Sequence, residues 1–416
     1  VWACMAALAA RHLQRPVKIV LSRQEDIRFS GKRHPYSADF RLGLDGDGRF
    51  IAYEVTLFQN AGAAADLSTA ILERSLFHAT GSYFVPSARI TAHSCRTNLP
   101  PFTAFRGFGA PQAMFVIECA LTRAAEELGI DRARLQELNL LSEGDAMPFG
   151  MRLKGCHARR AWAEAASRYD LAGLGDEVRR HNLEHRRFKR GLALMPVCFG
   201  ISFTNPFLNQ AGALVHVYSD GSVGVSTGAI EMGQGVNMKI LGIAAVTLGI
   251  EPRRVFIEST NTTRVANTSP TAASSGADMN GRATELACRA IRDRLAAVAA
   301  ARLGCPADSV RIEAERAGTD GSTAELGWEE LVWLAYTSRV NLSAQAHYAT
   351  PGLDYDKGSE HGTPFAYHVW GTAIVEATVD AVRGTYTIDR VRTVHDAGRS
   401  LNPLIDRGQL EGGVVQ

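Results

Sequence analysis

Alternating apolar and polar positions indicate three β-hairpins in this chain. Residues 40–58, 213–230 and 371–394 each alternate on both sides of a turn-rich centre. In the first two segments that centre contains Asp-Gly, and glycine adopts the positive φ of a tight hairpin turn without a steric penalty. We therefore expect two antiparallel strands joined by a short turn in each segment.

Apolar residues at helical spacing predict several α-helices. The clearest covers residues 111–128, which begin with Pro111 as a first-turn residue and are followed by Gly129 as a stop signal. Further helices are expected at 1–13, 132–142, 236–248, 279–303 and 326–337. Hairpins and helices occur in separate blocks, without strict β-α-β alternation, which predicts an α+β fold of several layers.

A basic segment suggests where the chain divides. Residues 179–190 hold Arg or Lys at half of their positions, and we interpret them as a linker or an exposed helix between two domains, 1–185 and 191–416. His181 and His185 match the H-x-x-E-H zinc pattern. A solvated basic face is the favoured interpretation, because a zinc site needs a third ligand and a dry cavity.

Composition excludes several classes of protein. The 416 residues carry 45 Lys and Arg against 43 Asp and Glu, and 46% are hydrophobic. Such a chain can bury a core and is neither disordered nor a polybasic nucleic-acid binder. The apolar run at residues 1–10 is shorter than the roughly 18 to 20 residues of a membrane span. Seven cysteines without a C-x-x-C motif indicate no disulfide framework, which fits a cytoplasmic location.

Three glycine-rich segments each lead toward a predicted helix. They cover residues 103–112, 228–235 and 267–276. Small residues allow backbone N–H groups to converge on an anionic ligand at a helix N-terminus. The first segment lacks the third glycine of G-x-G-x-x-G, and none is followed by Gly-Lys-Ser/Thr, so a Walker loop is excluded. One such segment alone is more often a tight turn, but three in one chain favour a buried cofactor.

Five strings in and around these segments resemble the xanthine dehydrogenase family of molybdenum hydroxylases. They are TAFRGFGAPQA, FGISFTNPFLNQAGALVHVYSDGSV, EMGQGVNMK, NTSPTAAS and SLNPLIDRGQLEG. The similarity runs in order along the whole chain. It implies the multi-layer molybdopterin-binding region of such an enzyme, with molybdenum held by a pyranopterin dithiolene. It also implies hydroxylation of hypoxanthine to xanthine and of xanthine to urate, with oxygen from water, as in purine catabolism.

The resemblance assigns four residues to the substrate. Arg74 matches a catalytic arginine that stabilises negative charge developing on the purine, an electrostatic effect of a kind that contributes about 3 kcal/mol per well-placed donor. Phe108 and Phe203 match two rings that sandwich the substrate, and Thr204 matches a further substrate contact. Without the resemblance, the arginine would be interpreted as a helix residue paired with a carboxylate, and the rings as core packing. Phe108 lies between two glycines, however, which is a poor place for a core residue.

A second set of residues is assigned to the cofactor by the same resemblance: Arg106, Gly107, Gln234, Ala272, Ala273 and Gln416. Arg106 and Ala273 match positions near the molybdenum, with no side chain bound to the metal. Two glutamates of the family, one of them the general base, are expected before the first residue and beyond the last, because both ends resemble cuts within a larger protein. The fragment alone should then be inactive. Glu73 and Glu231 lie outside the matching motif, and neither is assigned as the base.

The resemblance also implies redox partners and leaves alternatives open. Two-iron two-sulfur clusters and FAD are expected on a partner chain or a missing segment, with NAD as acceptor and a dimer of the full complex. An aldehyde oxidase-type enzyme is one alternative, although it would usually place an uncharged residue at Arg74. A non-catalytic structural or assembly fragment is another. A carbon monoxide dehydrogenase would carry a cysteine in the loop around Phe108, and that loop contains none.

Overall fold

A computed structural model describes residues 1–321 and 323–416 of the chain. Two compact units, Val1–Asn139 and Leu140–Gln416, are distinguished by their internal packing. The domain limits 1–185 and 191–416 stay a prediction, and the basic segment 179–190 lies within the second unit. Among the described residues, none of the helices is long and apolar enough to cross a membrane.

The first unit combines helices with one small sheet. Its elements in chain order are α1 (Trp2–Leu13), α2 (Arg23–Phe29), β1 (Tyr36–Leu44), β2 (Phe50–Gly62), α3 (Ser68–Phe77), β3 (Ser87–Arg96), α4 (Ala110–Leu128) and α5 (Arg132–Asn139). The central strand β2 pairs antiparallel with β1 and parallel with β3. The sheet therefore has two edges, formed by β1 and β3.

The core of the first unit is built from apolar residues at every second position of a strand and at every fourth position of a helix. Tyr53, Val55 and Leu57 alternate along β2 and are each only 1% exposed, as expected for one face of a strand. Ile117 and Leu121 lie four residues apart on α4 and are fully buried, as expected for the apolar stripe of a helix.

A buried carboxylate joins α4 to α5. Glu118 accepts hydrogen bonds from Tyr83 Oη at 2.5 Å, Arg132 Nη2 at 2.8 Å and Gln136 Nε2 at 2.7 Å. Burial raises the pKa of Glu118, while these three donors act in the opposite direction. Because breaking a buried ion pair leaves an uncompensated charge, this cluster ties the two helices firmly together.

The second unit contains two larger sheets, two smaller ones and the remaining helices. Its elements in chain order are α6 (Ala158–Arg168), α7 (Leu171–Glu184), β4 (Phe188–Ile201), β5 (Gln210–Val217), β6 (Val223–Thr227), α8 (Val236–Leu248), β7 (Val255–Ile257), α9 (Gly276–Leu303), β8 (Val310–Glu313), β9 (Arg316–Thr319), β10 (Glu325–Gly327), α10 (Trp328–Thr337), β11 (Ser343–Ala349), β12 (Asp354–Asp356), β13 (His361–Thr363), β14 (Tyr367–Asp380), β15 (Thr385–Asp396) and α11 (Pro403–Val415). The strand orders among the described residues are β11-β5-β6-β7, β15-β14-β4, β10-β9-β8 and β12-β13.

The long helix α9 forms the centre of the second unit's core. Its residues Ala283, Ala287, Ile291 and Leu295 recur every four positions and are fully buried. The helix packs against α8 and against strands β5 and β11. Two alanines in this stripe let the helix approach closely, since a small side chain takes up little space between packed elements.

The secondary structure predicted from the sequence pattern is largely confirmed. The three predicted hairpins are β1–β2, β5–β6 and β14–β15, and α8 has the predicted bounds. The helix predicted at 132–142 ends at Asn139, whose side chain accepts from Phe50 N and donates to the Gly48 carbonyl oxygen. The helix predicted at 279–303 begins at Gly276. The basic segment forms the end of an exposed helix, α7, and the start of β4.

Asp380 closes the β14–β15 hairpin through an ion pair. Its carboxylate receives two hydrogen bonds from Arg187, at 3.0 and 2.7 Å, and further bonds from the N–H groups of Val382 and Arg383. The Arg187 guanidinium lowers the pKa of Asp380 to about 2 despite burial. A carboxylate whose pKa is lowered by folding stabilises the folded state at pH values above the pKa that it has in the unfolded chain, which is 3.8 here.

Replacing Asp380 by Asn should lower the free energy of unfolding at pH 7. The difference from wild type should shrink as the pH falls from 3.8 toward 2, because the wild-type carboxylate then becomes protonated. Urea unfolding followed by circular dichroism between pH 7 and low pH measures this. Asp354→Asn, at an exposed position of β12, is the matched control, and a difference that is the same at every pH would contradict the interpretation.

Candidate functional site

The predicted substrate residue Arg74 lies on α3 and is only 3% exposed. Burial lowers the pKa of Arg74 to about 10, and the neighbouring Glu73 carboxylate acts in the opposite direction. The guanidinium therefore stays charged at neutral pH. His78, one turn further along, has its Nδ1 atom 2.9 Å from the Arg74 carbonyl oxygen. The structure thus provides a buried cation in the first unit.

The first glycine-rich segment packs directly on α3. A Cβ atom at Gly109 would lie 2.3 Å from the Ile71 carbonyl oxygen and 2.5 Å from Ser75 Oγ, so the backbones approach as closely as glycine allows. Gly107, Phe108 and Gly109 all have positive φ, at 90°, 51° and 100°. Positive φ is unusual for phenylalanine and marks functional or strained positions. Two predicted site residues, Arg74 and Phe108, are therefore carried by elements in direct contact.

Arg33 also binds the same loop. Its Nη2 atom donates to the Arg106 carbonyl oxygen at 2.6 Å, and its guanidinium lies 4.4 Å from the centroid of the Phe105 ring. Arg106 itself is exposed, and the adjacent Gly107 is half-buried. Sequence reasoning missed Arg33, because nothing in its local sequence connects it to a loop more than seventy residues away.

Phe203 and Thr204 lie in the loop that follows β4 in the second unit. Asn209 holds this loop: its Oδ1 accepts from Phe203 N at 2.8 Å, and its Nδ2 donates to the Phe203 carbonyl oxygen at 2.9 Å. Thr204 is 9% exposed and Phe203 is half-buried. Ser202 just before them has φ of 152°. Asn209 was not predicted as a site residue, and its short polar side chain in a Pro-containing turn is the signal that could have identified it.

The second glycine-rich segment is organised by its own glutamate. The carboxylate of Glu231 accepts from the backbone N–H groups of Gly233 at 2.9 Å, Gly235 at 2.8 Å and Asn237 at 3.1 Å. Burial alone would raise the pKa of Glu231, but these N–H groups lower it. We expected such N–H groups to be available to an anionic ligand. Instead, the anion at the N-terminus of α8 is a side chain of the same loop.

Gln234 is oriented within that loop by two further hydrogen bonds. Its Oε1 atom accepts from Met232 N at 2.6 Å, and its Nε2 atom donates to the Ile230 carbonyl oxygen at 2.9 Å. Gln234 is half-buried. The side-chain amide predicted to lie beside the cofactor is thus part of a rigid turn.

The second and third glycine-rich segments adjoin each other. Ile230 N donates to Thr271 Oγ1 at 2.9 Å, and a Cβ atom at Gly228 would lie only 1.7 Å from Thr268 Oγ1. Ala273 and Ser274 have φ values of 55° and 59°, so two successive non-glycine residues adopt the left-handed conformation. The structure therefore brings the predicted cofactor residues Gln234, Ala272 and Ala273 into neighbouring loops.

Helix α11 packs beside these loops. A Cβ atom at Gly235 would lie 2.5 Å from Ile405 Cδ1, and Lys239 Nζ forms an ion pair with Asp406 Oδ1 at 2.6 Å. Gln416 follows the last turn of α11, is exposed, and donates its backbone N–H to Gly412 O at 3.2 Å. Its assignment to the cofactor stays a prediction.

The predicted site residues thus form two groups, one in each unit. Small residues border both groups; at Gly233 a Cβ atom would meet no other atom within 4 Å. The backbone at Gly233 therefore leaves room for a ligand to approach it closely. Among the described residues, no three His, Cys, Asp or Glu side chains gather in a way that could hold a metal ion. A cavity of about 340 Å³ in the second unit is lined by other residues, including Val246, Arg292 and Glu313.

Two family profiles match the chain. A profile described as "Molybdopterin cofactor-binding domain" matches residues 1–140, and a second profile with the same description matches residues 164–416. The two matches include every residue predicted for the cofactor.

Curated relatives are similar to the chain over nearly its whole length. It is 40% identical over 412 residues to xanthine dehydrogenase/oxidase of Gallus gallus, covering 99% of this chain and 29% of that protein. It is 38% identical over 416 residues to xanthine dehydrogenase of Dictyostelium discoideum, with coverages of 99% and 29%. It is also 39% identical over 421 residues to a nicotinate hydroxylase of Emericella nidulans, with coverages of 100% and 30%. The chain therefore spans less than a third of each relative's length.

Solved structures show the same fold at lower identity. Quinoline 2-oxidoreductase from Pseudomonas putida 86 superposes with a TM-score of 0.83 at 22% identity, covering 99% of this chain and 53% of that one. Aldehyde oxidoreductase from Desulfovibrio gigas superposes with a TM-score of 0.82 at 24% identity, with coverages of 98% and 42%. The second profile match alone covers more than half of the chain, and the two matches establish that the chain belongs to the molybdopterin cofactor-binding domain family, as the resemblance of its sequence motifs implied.

Proposed function

We propose that this chain is the molybdenum-cofactor part of a xanthine dehydrogenase, which hydroxylates hypoxanthine to xanthine and xanthine to urate with oxygen from water. The observation that carries the proposal is the buried, charged guanidinium of Arg74 on α3, next to the loop that bears Phe108. Relatives about 40% identical that are named xanthine dehydrogenase support it.

Six residues are proposed to hold the cofactor on the basis of the sequence resemblance: Arg106, Gly107, Gln234, Ala272, Ala273 and Gln416, with Arg106 and Ala273 near the molybdenum. When bound, the molybdopterin group supplies the centre that accepts two electrons from the substrate. The chain's own contribution is to position it: Arg33 holds the Arg106 carbonyl group, and Glu231 holds the backbone on both sides of Gln234.

Arg74 would stabilise the charge that develops on the purine during hydroxylation. Attack on an electron-poor ring carbon increases the negative charge on the ring nitrogens and oxygen. A cation that is already fixed in place needs no reorganisation at that moment, and it acts more strongly away from water. Arg74 lies away from water, since it is only 3% exposed, and it stays charged at neutral pH.

Phe108 and Phe203 would each contact the flat purine ring, as the sequence resemblance implies. Aromatic rings prefer offset-stacked or edge-to-face arrangements, and Phe108 and Phe203 are both only half-buried. Thr204 would contribute a hydroxyl group for a hydrogen bond to the substrate. Asn209 would keep the loop of Phe203 and Thr204 in shape through its two bonds to the Phe203 backbone.

The remaining parts of the enzyme would lie outside this chain, which spans only 29% of the length of its xanthine dehydrogenase relatives. We propose that two-iron two-sulfur clusters and FAD lie on a partner chain or segment, with NAD as final acceptor. The general-base glutamate would lie beyond Gln416, as the sequence resemblance implies. We further propose a dimeric, cytoplasmic complex.

A second candidate function is hydroxylation of another nitrogen-containing aromatic ring. The relative named nicotinate hydroxylase is 39% identical to this chain, as similar as the xanthine dehydrogenases. Comparing the activity of the complete enzyme on hypoxanthine and on nicotinate separates the two candidates.

Replacing Arg74 by Met in the complete enzyme should lower kcat/KM for xanthine by about 10²- to 10³-fold, because a fixed cation at the developing charge is lost. Oxidation of benzaldehyde, whose hydroxylation places no charge on a purine ring, should fall much less. Steady-state kinetics with both substrates measure the effect. Arg134→Met, at an exposed position of α5, is the matched control, and unchanged xanthine turnover in Arg74→Met would refute the proposed role.

Replacing Glu231 by Ala should reduce the molybdenum content of the purified complex, because three backbone N–H groups of the Gln234 loop lose their acceptor. Metal analysis at equal protein concentration measures this, and we expect a loss of about half or more, as for residues that support a metal site indirectly. Glu330→Ala, on the exposed face of α10, should retain full content. Equal metal content in both variants would show that the loop holds its shape without Glu231.

A further inference from the structure

A line of hydrogen bonds crosses the first unit from β3 to the first glycine-rich segment. Ser94 Oγ donates to Gln59 Oε1 at 2.9 Å, and Gln59 Nε2 donates to Tyr36 Oη at 2.9 Å. Tyr36 Oη lies 2.9 Å from Ser75 Oγ, which in turn lies 3.1 Å from the Gly109 carbonyl oxygen. The line therefore connects all three strands of the sheet with α3 and the loop.

The chemistry of its members gives this line one direction. The amide nitrogen of Gln59 can only donate a hydrogen bond, so Tyr36 Oη is the acceptor from Gln59. The Tyr36 hydroxyl group then donates its own hydrogen bond to Ser75 Oγ. The Ser75 proton is then left for a carbonyl oxygen, that of Gly109 at 3.1 Å or of Ile71 at 3.0 Å. Hydrogen bonds in such a chain strengthen one another, and the loss of one leaves buried polar groups unpaired.

The end of the line lies where α3 and the loop are in closest contact. Ser75 directly follows Arg74, and Gly109 directly follows Phe108. A Cβ atom at Gly109 would lie 2.5 Å from Ser75 Oγ, so the two backbones meet without an intervening side chain. Both Ser75 and Gln59 are fully buried. Any movement of the loop away from α3 would therefore break the last hydrogen bond of the line.

We infer that Ser75 and Tyr36 are positioning residues for the substrate site: they hold the loop of Phe108 against the helix of Arg74. The inference rests on the proposed function, in which this cation and this ring bind the same purine. Neither Ser75 nor Tyr36 is assigned a contact with the substrate or the cofactor. Their effect is to keep the charge and the ring at a constant separation.

The test uses Ser75→Ala and Tyr36→Phe in the complete enzyme. Each should lower kcat/KM for xanthine about tenfold, which corresponds to about 1.4 kcal/mol, the scale of one buried hydrogen bond. kcat/KM for benzaldehyde should change less than about twofold, because it does not depend on the Arg74 charge. The double variant should lose about as much as either single variant, since both break the same line.

Hydrogen exchange provides a readout that is independent of activity. Backbone amides in residues 105–113 should exchange faster in Ser75→Ala and Tyr36→Phe than in wild type, because the loop opens more often once its bond to α3 is lost. This measurement needs neither substrate nor turnover. It therefore reports on the loop itself.

Two matched controls lie in the same unit. Ser82 Oγ and Tyr53 Oη are buried hydroxyl groups that have no hydrogen-bond partner among the residues the structure describes. Ser82→Ala and Tyr53→Phe therefore make the same chemical changes without breaking the line. Both should leave kinetics and loop exchange as in wild type.

The possible outcomes separate the inference from the proposed function. Equal losses with xanthine and benzaldehyde, or unchanged exchange of residues 105–113, would overturn the positioning role. If wild-type enzyme does not oxidise xanthine, the proposed function fails, and with it the substrate part of the inference. In that case, faster hydrogen exchange of residues 105–113 in Ser75→Ala would still support the claim that the line of hydrogen bonds holds the loop. Unchanged exchange would overturn this claim too.

Discussion

The contact between Gly109 and α3 is the constraint on which the placement of Phe108 beside the helix of Arg74 depends. Any side chain at this position would overlap the Ile71 carbonyl oxygen, so the chain places glycine there and a left-handed turn around Phe108. The result is a loop that carries an aromatic ring and rests on the helix that carries a buried cation. In the second unit, the contact of Gly228 with Thr268 and the bond from Ile230 to Thr271 join two loops in the same way.

Each loop is held by polar groups of the chain itself, and these groups differ in kind. The guanidinium of Arg33 binds the carbonyl oxygen of Arg106, and the side-chain amide of Asn209 binds the backbone N–H and carbonyl groups of Phe203. The carboxylate of Glu231 binds the backbone N–H groups that follow it in the chain. A cofactor bound at such loops meets backbone that is already ordered, so little conformational entropy is lost on binding.

Local features of this fold could be predicted from sequence, and long-range ones could not. Hairpins and the bounds of α8 follow from alternation, Asp-Gly turns and flanking glycines, all within a few residues. The burial of Arg74 depends on how α3 packs in the unit, and the bond from Arg33 to Arg106 joins residues far apart in sequence, so no local pattern predicts either. Glu231 is an intermediate case: an acidic residue shortly before a helix is a recognisable N-terminal signal, although here it occupies the N–H groups expected for a ligand.

The central claim is that a buried arginine in a molybdopterin-binding fold makes this a purine hydroxylase. The most direct measurement is kcat/KM of the wild-type, fully matured complex with hypoxanthine and with benzaldehyde under identical conditions. The account predicts that hypoxanthine is the preferred substrate and that its product carries oxygen from isotopically labelled water. Preference for benzaldehyde, or well-folded matured complex without molybdenum, would contradict it.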